Sequence, residues 1–429
     1  MTMILDIKSL LPFILIILVN LAVIFRRVGK LDIPAWTAFM AAAILLIFIS
    51  SNPEKSFNSA VQVVASNADV FVFLFTMMVL VTSLEMSGTL DFIAHKLLKH
   101  TKDGNTLLLW IHIFFGLAAS VLINDTVAIF APILLIAFAR QINQEAKPYI
   151  LAVAFGLTYG SALLPTGNPQ NFILASAGNI TFIEFFVYAF FPTLFALLGS
   201  YMTLRIYFRS VFNTEKFKTV SMVEYPSIDY LHLRKPALIT FGVLLIALLV
   251  TSFFNIPMGL IFLLVVGIYL FFINDRNQII ARIDWGVLFF FAGMFITINA
   301  VTQSAIFTNL VKTPLSTAQP NFGTFVIFNI GIFILCQFFS NVPVAIIATQ
   351  LLPSTHLNTT IFWMSTALTT TFAGGTTVLG AASNIIAIET SKKRKVEIKW
   401  LEFFKIGIFS SSFALLGVIL IGLIAFGIF

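Results

Sequence analysis

A chain of 429 residues with 59% hydrophobic and only 10% charged residues has too little polar surface to coat a water-soluble globule. Its formal net charge of +7 comes from short basic clusters between apolar runs, the distribution of cytoplasmic loops in a multi-pass membrane protein and not of a nucleic-acid-binding face. One cysteine, Cys336, and five scattered histidines, with no CxxC, HExxH or phosphate-binding glycine loop, argue against a disulfide framework, a metal centre or an intramembrane enzyme site.

The apolar runs fall in two sets of six. The first covers 10–25, 33–49, 70–86, 106–139, 148–177 and 182–208. The run at 10–25 is followed by Arg26, Arg27 and Lys30 and by no small-residue cleavage site, so it reads as a retained span. The second set covers 236–254, 256–273, 286–300, 320–352, 359–391 and 403–426. The polar stretch 209–235 divides them, giving a first repeat at 1–208, a linker and a second repeat at 236–429.

An unbroken helix over 106–139 would be about 51 Å long against a hydrocarbon core of about 30 Å, so the fourth segment of each half must be interrupted. Basic residues flank 106–139 on both sides, as expected of a re-entrant hairpin entering from the cytoplasm. The run at 320–352 has almost none, as expected of one entering from outside. With each hairpin making no net crossing, each half crosses five times and the second half is inverted. The basic clusters then all fall on one side, the linker is cytoplasmic and both termini lie outside a plasma or inner membrane. The expected fold class is an all-α polytopic membrane protein of two inverted five-crossing repeats, each with a re-entrant hairpin and a broken helix. The stretch 91–100 and the linker suit the cytoplasmic membrane surface.

The repeat is visible in the residues themselves. VLINDTVAIFAPILL at 121–135 returns as FFSNVPVAIIATQLL at 338–352, with Asn341 lying 217 positions after Asn124. LLPTGNPQNFILA at 163–175 returns as TTVLGAASNIIAI at 376–388, with Asn384 lying 213 positions after Asn171. Polar breaks inside apolar helices survive at membrane depth only where protein or a water-filled cavity surrounds them, which is where transporters bind substrates and ions.

The residue types fit that chemistry. Asn124, Asp125 and Thr126 are suited to cap an arm starting at Val127. Ser340 and Asn341 do the same before Val344, with Pro343 in the first turn. A carboxylate at membrane depth is expensive, so Asp125 is expected to act as a cation ligand or proton carrier. The breaks at 165–171 and 374–384 place glycines beside Asn168, Gln170, Asn171, Ser383 and Asn384. Candidate substrate contacts are Asn124, Thr126, Asn168, Asn171, Ser340, Asn341, Ser383 and Asn384. Candidate coupling-ion contacts are Asp125, Asn124, Gly167, Asn341 and Gly380, with Na⁺ as a possible coupling ion and no other metal or cofactor. The first site is expected from Asn124, Asp125, Thr126, Gly167, Asn168 and Asn171, and its mate from Ser340, Asn341, Gly380, Ser383 and Asn384. Gly160, Ser161, Gly374 and Gly375 serve tight helix packing equally well. His112 reads as a polar packing residue, and Glu85, Asp91 and Asp284 as interfacial.

INDT at the first tip, SNVP at the second, GSALLPTGNPQN at the first break and GGTTVLGAASN at the second together resemble the ion transporter superfamily. This superfamily includes arsenite permeases, divalent-anion:sodium symporters of the dicarboxylate and citrate type, and certain Na⁺/H⁺ antiporters. The likeness runs through essentially the whole chain and is strongest to the prokaryotic anion transporter, arsenite-permease-like branch. It implies a scaffold and a transport domain, a midplane site, a homodimer in the bilayer and elevator-type movement. The dicarboxylate symporters carry Ser-Asn-Thr at both tips. Here the tips read Asn124-Asp125-Thr126 and Ser340-Asn341-Val342, and no Lys or Arg stands in the expected cavity. Three transport readings stay open: a Na⁺- or H⁺-coupled permease for a small inorganic or organic anion, an arsenite or antimonite efflux permease taking a neutral oxyacid, and a Na⁺/H⁺ antiporter. A passive channel is the reading from another class.

Overall fold

The computed structural model describes residues 7–25, 27–28, 31–89, 92, 103–209, 211, 230–254 and 256–428. Most of the 209–235 linker, Asp91 and nearly all of 91–100 lie outside these residues. The described residues form helices and their connections, apart from a two-residue antiparallel ladder pairing Arg27 with Asp32.

In the first half the helices are α1 (Ile7–Phe25), α2 (Ala35–Ile49), α3 (Pro53–Ser66), α4 (Ala68–Met86), α5 (Gly104–Leu122), α6 (Asn124–Gln141), α7 (Lys147–Gly160), α8 (Pro169–Ala177) and α9 (Phe182–Tyr207). The second half follows with α10 (Arg234–Thr251), α11 (Met258–Phe272), α12 (Arg276–Ala281), α13 (Trp285–Thr302), α14 (Phe322–Phe339), α15 (Asn341–Leu351), α16 (Thr360–Ala373), α17 (Ala382–Lys393) and α18 (Trp400–Ala425). Among the described residues seven helices are long and apolar enough to cross a membrane. The first arms α5 and α14 are two of them, so each is longer than a half-crossing requires.

Helix α3 was not expected from the apolar pattern. Asn52 starts it, accepting the Lys55 N–H at 3.0 Å with Pro53 at the first helical position, and nearly all of its residues stay at least partly exposed. It escapes a hydropathy reading because it packs on α13 by small and polar contacts such as Asn299 Nδ2 to Ser59 Oγ at 3.0 Å.

The halves pack reciprocally. The second span of each half lies on the third span of the other, α2 on α13 and α11 on α4. The second arm of each broken pair behaves likewise, α6 on α17 and α15 on α8, while the sixth spans α9 and α18 pair with each other. Two apolar cores result. One is built by α5, α6, α7, α9, α14, α16 and α18, with residues such as Phe155, Phe362 and Phe403. The other is built mainly by α1, α2, α4, α10, α11 and α13, with residues such as Phe73, Phe262 and Phe295, and is joined by Ile123, by Phe172 and Ile173 of α8 and by Ile346 and Leu351 of α15. Phe73 of α4 stacks on Phe172 of α8 at 4.1 Å between centroids, where the second core meets a broken helix.

Candidate functional site

Both fourth segments break at the same repeat position, at a residue of the same positive φ. Ile123 and Ser340, 217 residues apart, each have φ 64° and sit between an apolar helix and an arm that opens on asparagine. The arms therefore begin at Asn124 and Asn341, not at Val127 and Val344. Asn124 and Asn341 occupy the first helical turn, and Pro343 is its third residue. Neither Ile123 nor Ser340 caps its arm with a side chain, and Asn341 Oδ1 instead accepts the Val342 N–H at 2.9 Å. A β-branched residue at positive φ, and a serine at φ 64° and ψ 169° where glycine is the usual occupant, are strained.

The unwound stretches also match. Each leaves its helix, passes an extended residue (Leu164 or Thr377), makes a 3₁₀ turn, extends again (Asn168 or Ala381) and re-enters a helix. Pro165 and Pro169 impose the extended residues in the first half. The second half reaches nearly the same dihedrals without proline, because asparagine ties it. Asn171 donates to the Ser161 carbonyl at 3.0 Å and the Leu164 carbonyl at 3.1 Å, and accepts the Thr371 hydroxyl at 2.8 Å. Asn384 donates to the Gly374 carbonyl at 2.8 Å and the Thr377 carbonyl at 3.3 Å, and accepts the Thr158 hydroxyl at 3.1 Å. Every partner of Asn384 lies 213 positions from its counterpart except Thr158, which is itself the counterpart of Thr371 with the halves exchanged. Each break is thus closed by a threonine from the other half.

Asn168 fixes the first stretch further: its Oδ1 takes the Asn171 N–H at 2.9 Å and its Nδ2 reaches Ser161 Oγ at 3.1 Å and Thr371 Oγ1 at 3.2 Å. Gln170 Nε2 lies 3.4 Å from the same threonine. Gly167 and Gly380 are needed for the chain's approach to itself, since a Cβ would stand 2.1 Å from the Ser161 oxygen and 2.7 Å from the Gly374 oxygen. Gly160 packs on the backbone of Gly116 and Gly375 on the Tyr159 hydroxyl, so those two glycines serve helix packing.

The first tip is drawn to the second break. Asn124 Nδ2 lies 3.4 Å from Oγ of Ser383, the second residue of α17. Through Asn124 the tip therefore reaches the opposite half. Ser340 keeps to its own half, with Oγ 3.4 Å from the Gly380 oxygen. Thr126 falls in the first turn of α6. Asp125 sits near two helix N-termini, its own and that of α17, where a negative charge is favoured. Asparagine, serine and threonine supply both donors and acceptors here, and no lysine or arginine is among their described hydrogen-bond partners.

His112 is fully buried, Nδ1 2.9 Å from the Ala152 carbonyl and Nε2 2.8 Å from Ser200 Oγ, which is a packing role. Asn329, 217 positions later, braces α14 to α16 in the same place through Ser365 and Thr369. Asp284 caps α13, accepting the Gly286 N–H. Sequence reasoning missed Thr158, Thr371 and Asn329. The recurrence of threonine at an offset of 213 was the signal available for the first two.

Residues 13–373 match the family described as citrate transporter. The chain belongs to that family. It is a membrane transporter of the citrate transporter and arsB type, and its family points to transport and not to an enzyme. The Dictyostelium discoideum protein named arsB is 23% identical, over 87% of this chain and 84% of its own. The silicon efflux transporter LSI3 of Oryza sativa subsp. japonica is also 23% identical, over 83% and 84%. Among solved structures, the YdaH transporter of Alcanivorax borkumensis superposes with a TM-score of 0.58 at 14% identity, covering 91% of this chain and 98% of that one, a likeness of fold.

Proposed function

We propose that this family member is a secondary active permease for a small inorganic or organic anion, coupled to Na⁺ or H⁺ through Asp125. The observation that carries the reading is the meeting of the first tip with the start of α17, Asn124 Nδ2 lying 3.4 Å from Ser383 Oγ with Asp125 the next residue, beside broken helices whose amides and hydroxyls offer neutral contacts. A negative group there needs a cation or proton before an anion can approach, which couples the two. The reading includes elevator movement between inward- and outward-open states, with the first three spans of both halves as the core against which Ile123, Phe172, Ile173, Ile346 and Leu351 of the tips and broken segments pack. The linker belongs on the cytoplasmic side of a plasma or inner membrane in this reading.

A second reading, release of an oxyacid that crosses in its neutral hydroxylated form, is favoured by the donor set itself. Amides and hydroxyls with no described lysine or arginine partner suit a neutral polyol-like acid, and a silicon efflux transporter is among the relatives.

Uptake into proteoliposomes decides between them, with citrate, succinate, sulfate, arsenite and silicic acid offered under an imposed Na⁺ gradient and then a pH gradient. Accumulation of one anion driven by either gradient, lost in Asp125→Asn, supports the coupled permease. Equilibration of arsenite or silicic acid without accumulation supports the second reading. Na⁺ exchange for protons with no solute requirement overturns both.

A further inference from the structure

The two broken helices stop in the same way but on different residues. α8 ends with the Ile180 N–H bonded to the Ala175 carbonyl at 2.8 Å and Asn179 at φ 52° between them, and α17 with the Val396 N–H bonded to the Ser391 carbonyl at 3.1 Å and Lys395 at φ 66°. Glycine or asparagine is the usual occupant of that left-handed position, and asparagine fills it in the first half. In the second half a lysine holds it under strain and completes a run of four basic residues, Lys392, Lys393, Arg394 and Lys395, where the first half has Ser176, Ala177, Gly178 and Asn179.

All four basic residues are exposed. None of them belongs to the ion pairs formed among the described residues, which join Lys147 to Glu145 and Glu402, and His232 to Asp275. A charge that only orients a span, or only complements a helix C-terminus, needs no fixed surface around it. This run has one. Arg140 Nη2 donates to the Arg394 carbonyl at 3.0 Å from the end of α6, and Ile398, buried in the first core, pins the chain just beyond. Over 392–399 there is one acidic residue, Glu397, against five basic ones. Lys399 leads into α18, whose start turns Trp400, Leu401 and Phe404 outward at 54%, 63% and 43% exposure. Fixed cations next to an exposed tryptophan and apolar side chains are suited to the level where phosphate headgroups meet acyl chains.

We propose that Lys392, Lys393, Arg394 and Lys395, with Trp400 and Leu401 beside them, form a docking surface for the headgroups of acidic phospholipids. The helix they end, α17, begins at Ser383 and Asn384 of the second break, so headgroups held here anchor that broken helix to the membrane surface.

The test takes full-length protein from liposomes of equal phosphatidylcholine and phosphatidylglycerol and counts the lipid that stays bound by native mass spectrometry. Wild type is expected to retain phosphatidylglycerol over phosphatidylcholine, and Lys392→Gln, Lys393→Gln, Arg394→Gln and Lys395→Gln together to lose that preference. Replacing the three lysines by arginine should keep it. Lys395→Gly removes one charge and the strain at once, so it should weaken phosphatidylglycerol binding roughly three- to fivefold while raising the unfolding midpoint, a pairing that damage to the fold does not produce. Arg276→Gln, one positive charge fewer at an exposed position outside the patch, should bind as wild type. Equal retention of phosphatidylglycerol by wild type and Lys395→Gly overturns the proposal, as does an equal loss in Arg276→Gln, and the run then serves only to orient the chain. Release of the lipid by inorganic phosphate overturns it too, since the patch is then a site for free anions.

Discussion

Replacing Asn171 with alanine removes the side chain that ties both ends of the first unwound stretch and joins it to the second half. The buried Ser161 carbonyl and the Thr371 hydroxyl lose a partner at 3.0 and 2.8 Å, while the part-buried Leu164 carbonyl loses one at 3.1 Å and keeps the Gly167 N–H. At about 1–3 kcal/mol for each of the two orphaned groups, less what entering water returns, the cost is about 2–5 kcal/mol. Thermal unfolding in detergent, followed by tryptophan fluorescence, reads this as a large drop in midpoint, and Asn384→Ala provides the mate within the same molecule. Because Asn171 and Thr371 share a bond, Asn171→Ala combined with Thr371→Val costs less than the sum of the two. An Asn171→Ala protein that unfolds with the wild type, or a strictly additive pair, refutes the claim that this network holds the break.

Gly160→Ala places a Cβ 2.3 Å from the Gly116 oxygen and should separate α5 from α7, with loss of folded protein on size exclusion. Gly331→Ala, where nothing lies within 4 Å, should express as wild type. Ser340→Gly relieves a backbone strain of about 1–3 kcal/mol and should raise the unfolding midpoint while lowering flux, since the hydroxyl at the tip is lost. Asp103→Ala removes the α5 cap on the Thr106 N–H and should cost about 0.5–2 kcal/mol. That N–H holds Asp103 below the usual carboxylate range. The stability it adds is complete above that range and fades as pH falls through the lowered value, so the gap between wild type and Asp103→Ala should narrow in acid melts.

Much of the site was legible because its residues recur. Asn124 with Asn341, and Asn171 with Asn384, announce the tips and breaks; both tips turn at φ 64°, and the hydrogen bonds of Asn171 and Asn384 correspond. What pattern reasoning could not reach was contact between halves. Nothing local marks Thr158 as the partner of Asn384, or Ser383 as the partner of Asn124, since both are long-range meetings created by packing. The helix starts were misplaced for another reason. Capping preferences point to Asn124 and its neighbours, yet the turn is made one residue earlier by Ile123, in a conformation isoleucine rarely adopts. Helix α3 was missed because it is polar.

The exchanged threonines also bear on how the chain is made. Asn171 waits for a hydroxyl synthesised 200 residues later, so the first break leaves the ribosome with its polar ring open. The N-terminal half inserted alone should be a short-lived species prone to degradation. Supplied separately, the two halves should recover one another in the membrane, each completing the helix that its partner leaves unfinished.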